Sequence, residues 1–173
     1  MLFLLLACTP DLPTLEQANG QLSISGETQV ASGEVPLSQQ GLKEVEALGA
    51  LRVGQAWTYK TRPGEEASRL TVLRLEQHPV QGGYVHISLD GLHIPNPADP
   101  EKKEMEGAGH LPFSQSAVES SVIAVESTGA EISAESMEGY QTWRAAFDAG
   151  KAGVFSSDVA SGVDAMQAMM APR

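Results

Sequence analysis

The chain has 173 residues, room for one ordinary domain. Its 22 Asp and Glu against 11 Lys and Arg leave a formal net charge of −11, which argues against nucleic-acid binding and against adhesion to anionic lipid by charge. The one cysteine, Cys8, excludes an intrachain disulfide and a cysteine-based zinc site.

Residues 1–8 read M-L-F-L-L-L-A-C. The run L-L-A-C resembles a bacterial lipobox, in which cleavage before the cysteine leaves a thiol that carries diacylglycerol. Leu5, Ala7 and Cys8 match the usual pattern. The apolar run engages the membrane, small Ala7 fits the cleavage site, and acyl chains on Cys8 replace the removed segment as anchor. No Lys or Arg precedes the run, as expected if the true start lies upstream. Thr9, rather than aspartate, follows the cysteine. By the same resemblance this directs the protein to the outer membrane, facing the periplasm; the alternative is a soluble cytoplasmic chain. No other segment approaches the ~20 apolar residues that span a bilayer as a helix.

Residues 9–38 are rich in Gln, Ser, Thr, Gly and Pro and hold no Lys or Arg. That composition is expected of a flexible tether. Leu22-Ser23-Ile24 is a candidate short strand within it. A single α+β domain is expected over 39–171. Leu42, Val45 and Leu48 recur at helical spacing, so a short helix is expected over 38–51, with Ser38 as its cap.

Three strands follow. Residues 53–62 put Trp57, Tyr59 and Thr61 on one face and Thr58, Lys60 and Arg62 on the other. Pro63-Gly64-Glu65-Glu66 is a turn. Residues 68–76 carry apolar side chains on both faces, which predicts a central strand or a register-shifting bulge. Residues 78–83 form the second turn. Residues 84–90 alternate, with Val85, Ile87 and Leu89 opposite Tyr84, His86, Ser88 and Asp90. Gly91 leads into Leu92-His93-Ile94 as a continuation past a bulge. The short connections predict an antiparallel meander of three to four strands.

Prolines 95, 97 and 100 interrupt regular structure, and a long polar loop is expected over 95–110. A helix is then expected from Ser114 or Ser116 to near Gly129, burying Val118, Val122 and Val125. An acidic loop covers 130–138. Residues 139–149 place Tyr140, Trp143 and Phe147 at helical spacing as a stripe over the sheet, with Gly150 just past the end. Residues 153–156 are a candidate fourth strand. A last helix, capped by Ser157 or Asp158, aligns Val159, Val163, Met166 and Met170 and ends by Pro172. The sum is an α+β fold in two layers: a meander packed against three or four short helices.

Four runs taken together resemble those of short bacterial proteins of uncharacterised function. They are W-T-Y-K-T-R-P-G-E-E-A-S at 57–68, V-H-I-S-L-D-G-L at 85–92, H-L-P-F-S at 110–114 and G-Y-Q-T-W-R-A-A-F at 139–147. The resemblance spans roughly residues 53–165. It implies one cooperative domain and carries no activity to any residue.

No P-loop, G-x-S-x-G, G-x-G-x-x-G or H-E-x-x-H occurs. Arg52, Lys60, Arg62, Arg69 and Arg74 cluster on the first hairpin, while residues 101–138 hold eight Glu. This is either a solvated face with acidic loops or a basic face for an anion. His86 and Asp90 share a strand face, with Ser88 between them. Converging on His93 and His110, they would approach a metal or acid–base set, although strand neighbours two apart lie roughly 7 Å from each other. The candidate binding residues are therefore Lys60, Arg62, His86, Asp90, His93 and His110, with the 95–110 loop. No catalytic residue, metal or cofactor is assigned. The leading expectation is a lipid-anchored, non-enzymatic interaction module for a basic protein, such as an immunity-type inhibitor. The alternatives are a small-ligand carrier or weak hydrolase near His86 and His110, and a structural envelope spacer.

Overall fold

The computed structural model describes residues 41–96, 101 and 104–171. Cys8, the tether expected over 9–38 with Leu22-Ser23-Ile24, the Ser38 cap, residues 97–100, 102 and 103 of the expected loop, and Pro172 lie outside the described residues. None of the described helices is long and apolar enough to cross a membrane.

The fold is α+β, as expected, with a larger sheet. β4 (Ala56–Tyr59), β5 (Arg69–His78), β6 (Gly82–Pro95) and β7 (Glu104–Ser114) form an antiparallel meander. α1 (Gln115–Ser121) then carries the chain to the other side of β4, where β8 (Val122–Ser127) completes the order β7-β6-β5-β4-β8. β1 (Lys43–Glu44) pairs with the end of β5. β2 (Ala47–Leu48) and β3 (Leu51–Arg52) make a separate two-residue hairpin. α2 (Ala134–Asp148) and α3 (Val159–Met170) complete the domain.

The helix expected over 38–51 is instead β1, β2 and β3. Gly41, Gly49 and Gly54 all take positive φ, so the backbone turns three times where a helix would run straight. Leu48 and Leu51 are buried by this hairpin. The 95–110 loop is also corrected: from Glu104 onward the chain is β7, which pairs with β6 through Ala108, Leu111 and Phe113. Pro112 sits in β7 because that strand is an edge, where a missing N–H breaks no ladder.

The helix expected from 114–116 to 129 stops at Ser121. Ser114 caps it, accepting from the Ala117 N–H, and Val122 turns extended. Val118 is fully buried, whereas Val125 is 43% exposed on β8. Residues 153–156 contribute only a parallel bridge between Phe155 and Phe113. Asp158 is the cap of α3, accepting from Ser161 N–H, and Gly150 takes the positive φ expected after α2.

One extra residue in β5 sets both faces of the sheet. The β5–β6 register slips between Val72 and Arg74, so Leu73 is bulged. Leu70, Val72 and Leu75 consequently join one core with Val85, Ile87 and Phe113, under α1 and α3. Arg74 and Glu76 turn to the opposite face, toward Tyr84 and His86. That face is covered by α2, whose Tyr140, Trp143 and Phe147 pack with Tyr84 in a second core. The sheet is therefore covered on both faces, making three layers rather than the two expected. This explains why Tyr84 and His86 are as buried as Val85 and Ile87.

A buried carboxylate–histidine relay as the candidate functional site

Glu76, His86 and His110 lie on three neighbouring strands and meet diagonally beneath α2. Glu76 stands opposite Tyr84, and His86 opposite both Arg74 and Pro112, so each contact reaches a diagonal neighbour. His86 Nε2 lies 3.0 Å from Glu76 Oε2, and His86 Nδ1 lies 3.0 Å from His110 Nε2. Tyr140 donates its hydroxyl to Glu76 Oε1 at 2.8 Å. Arg74 Nε reaches the same oxygen at 3.3 Å and Arg144 at 3.5 Å. The Arg74 guanidinium also lies 4.8 Å from the centre of the Tyr140 ring, where cation–π attraction holds it.

Glu76 and His86 are fully buried; His110 is partly so. Burial raises the Glu76 carboxyl, but hydrogen bonds from His86 and Tyr140, with Arg74, overcome it and hold the group at about 2. Burial drives His86 toward its neutral form against the pull of Glu76. Burial, then the neighbouring His86, lowers His110 to about 4. Burial and the Glu76 contact raise the Tyr140 hydroxyl, which stays protonated as a donor.

These charge states assign the tautomers. A carboxylate only accepts, so His86 carries its proton on Nε2 and accepts at Nδ1. His110 then donates from Nε2, and its Nδ1 is the unprotonated end of the relay. Chemically, this arrangement orients one imidazole by another and keeps the outer one unprotonated at neutral pH.

The aromatic stripe encloses the relay. Trp143 and Tyr140 meet the His86 ring at centroid distances of 4.6 and 4.9 Å. Trp143 Nε1 donates to Gly153 O at 2.8 Å, tying α2 to the chain after it. Gly139 gives His110 room: a Cβ there would come within 2.8 Å of His110 Cβ. Every fully buried side-chain nitrogen and oxygen among the described residues has a hydrogen-bond partner. Among those residues no group of three or more His, Cys, Asp or Glu side chains is placed to hold a metal ion.

The structure brings together His86 and His110 and gives the other candidates separate partners. Asp90 accepts from the Arg69 N–H at 2.9 Å, and His93 Nδ1 lies 3.2 Å from Glu104 on an exposed surface. Arg62 pairs with buried Glu65 and with Asp164, and also donates to Gln167. Glu65 in turn accepts from the His93 N–H, fixing the turn before β5 to the bulge in β6. Lys60 donates to Ser120 O at 2.8 Å.

Sequence reasoning missed Glu76, the acid of the relay. Its signal was a carboxylate inside a strand with apolar residues on both faces, which needs a buried partner. Tyr140 was a second signal, because a buried tyrosine hydroxyl needs an acceptor.

About 720 Å³ of cavity opens elsewhere on the α2 face, where Tyr84 and Phe147 meet Gln81, Ser114, Gly153 and Ser156. No family model, curated protein or solved structure matches this chain.

Proposed function

We propose that this chain is a lipid-anchored, non-enzymatic interaction module of the bacterial envelope that engages a basic protein partner. An immunity-type inhibitor is its most specific form. The observation that supports this reading is the fate of the cations on the first hairpin. Arg62, Arg69 and Arg74 are ion-paired to Glu65, Glu126 and Glu76, and Arg52 and Lys60 are spent on backbone carbonyls. The cluster therefore offers little to an anionic ligand. Glu46, Glu106, Glu119, Glu131, Glu135 and Glu138 remain exposed, so the surface excess is negative. Such a surface steers a cationic partner. The relay supports the same reading, because its inner groups are consumed in holding α2 to the sheet.

Expression in a Gram-negative host from the longest open start, followed by intact mass and fractionation, tests the anchor. The expected product begins at Cys8, is triacylated and sediments with membranes. An unmodified soluble product retaining Met1 would remove both the anchor and the location that an immunity role needs.

A small-ligand or weakly hydrolytic site is the second reading. It rests on the unprotonated His110 Nδ1 and on the cavity beside Tyr84, which shares a strand face with His86. Ester hydrolysis lost in His110→Ala would establish it, and equal background in both chains would remove it. A structural spacer, the third reading, would show neither a partner nor a ligand.

A further inference from the structure

We infer that the open edge of β8 is the docking surface, and that it takes a short, extended, basic segment of a partner protein as an added strand. The inference rests on the interaction-module reading and names its surface. The two edges of the sheet are not equivalent. At β7, Phe155 N–H donates to Pro112 O and Phe155 O accepts from Ser114 N–H, both at 2.9 Å, so part of the outer side is already paired. Pro112 itself offers no N–H there. Among the described residues no strand lies beyond β8, and residues 123–129 are all exposed. Its Ile123 and Val125 are 65% and 43% exposed, side chains that an added strand would cover.

The surroundings select the occupant. Glu119 precedes the strand and Glu131 and Glu135 follow it, all exposed, while Glu126 on the strand is already ion-paired. The nearby cations are engaged, Arg69 by Glu126 and Lys60 by Ser120 O. A second copy would set these carboxylates against their own kind. It would also need roughly 1,200–2,000 Å² of buried surface for a stable pair, which a six-residue edge does not supply by itself. The β8–β4 register slips at two steps, one of them at Ile123, so the edge twists and suits a short segment.

The test places a photocrosslinking residue at 123 or 125 of the full chain in its source cells, with positions 80 and 169 as exposed apolar controls. The crosslinked partner segment is mapped, and a synthetic peptide of that segment is titrated into the full chain with hydrogen exchange on β8. The expected result is adducts at 123 and 125 to a Lys- or Arg-containing segment and protection of β8 amides. Affinity for the peptide should fall at least about tenfold, or 1.4 kcal/mol, in Val125→Lys or Ile123→Lys at unchanged melting temperature. Adducts only at 80 or 169, or a peptide that leaves β8 unprotected, would overturn the surface while leaving the interaction module standing. Adducts between two copies would overturn the occupant. No adduct at any of the four positions would overturn both readings.

Discussion

Glu76 is 1% exposed and still ionised, because four donors surround it. Glu76→Gln should keep the shape and lose the charge. His86 and Tyr140 donate to different oxygens of Glu76, so one of them would face the amide NH2 instead of an acceptor, and an expected loss of about 1–3 kcal/mol follows. Urea denaturation at pH 7 measures it, and a loss below about 0.5 kcal/mol would mean that the relay does not secure α2. The same residues set the pH dependence. His110 sits at about 4 when folded and at its ordinary 6.5 when unfolded. Between those values the unfolded chain binds a proton that the folded chain refuses, so stability falls as pH drops from about 6.5 toward 4. Glu76, at about 2 instead of 4.5, adds a second decline below pH 4.5. Stability measured across this range should show both limbs. His110→Asn should make the upper limb shallower without removing it, because buried His86 is also lowered and adds to it, and Glu76→Gln should make the lower limb shallower.

Among the elements, α3 depends on one small residue. Gly162 is buried, and a Cβ there would lie 2.5 and 2.6 Å from Cζ and Cε1 of Phe113, a ring that is itself fully buried. Alanine normally favours a helix over glycine by about 1 kcal/mol. Overpacking against a ring that cannot move costs about 1–3 kcal/mol, so the clash wins and Gly162→Ala should lower the melting temperature. Gly153→Ala, where a Cβ meets nothing within 4 Å, should leave it nearly unchanged and serves as the control. Elements whose capping and periodicity agreed were legible: Asp158 before α3, the Tyr140–Trp143–Phe147 stripe of α2 and Gly150 after it. α1 was not. Val118, Val122 and Val125 share a helical spacing, but valine also suits strands, and pairing with β4 decided for a strand after Ser121.

At the scale of the molecule, the excess of 22 Asp and Glu over 11 Lys and Arg sets how a partner would approach. If a basic partner is steered by the acidic surface, its association rate should fall at least about tenfold between low salt and 0.5 M, with a smaller change in dissociation rate. Stopped-flow binding to the full chain measures this, and a salt-independent rate would rule out steering.

The α+β class, the three-stranded meander at the centre of the sheet and the aromatic stripe that covers it were written in local pattern. Period-two alternation, turn residues and helical spacing are properties of neighbours in sequence. Even the bulge in β5 was legible, since apolar residues on both faces of that strand required one or a buried centre. The relay was not. Glu76, His86 and His110 are separated by 10 and 24 residues, and they meet only because the slip at Leu73 turns Glu76 to the face of His86. The fate of Lys60, Arg62, Asp90 and His93, and the open edge at β8, likewise depended on which strands became neighbours. Long-range pairing is chosen by the packing of the whole core, so tertiary structure alone decided which polar groups were buried together and which edge stayed open.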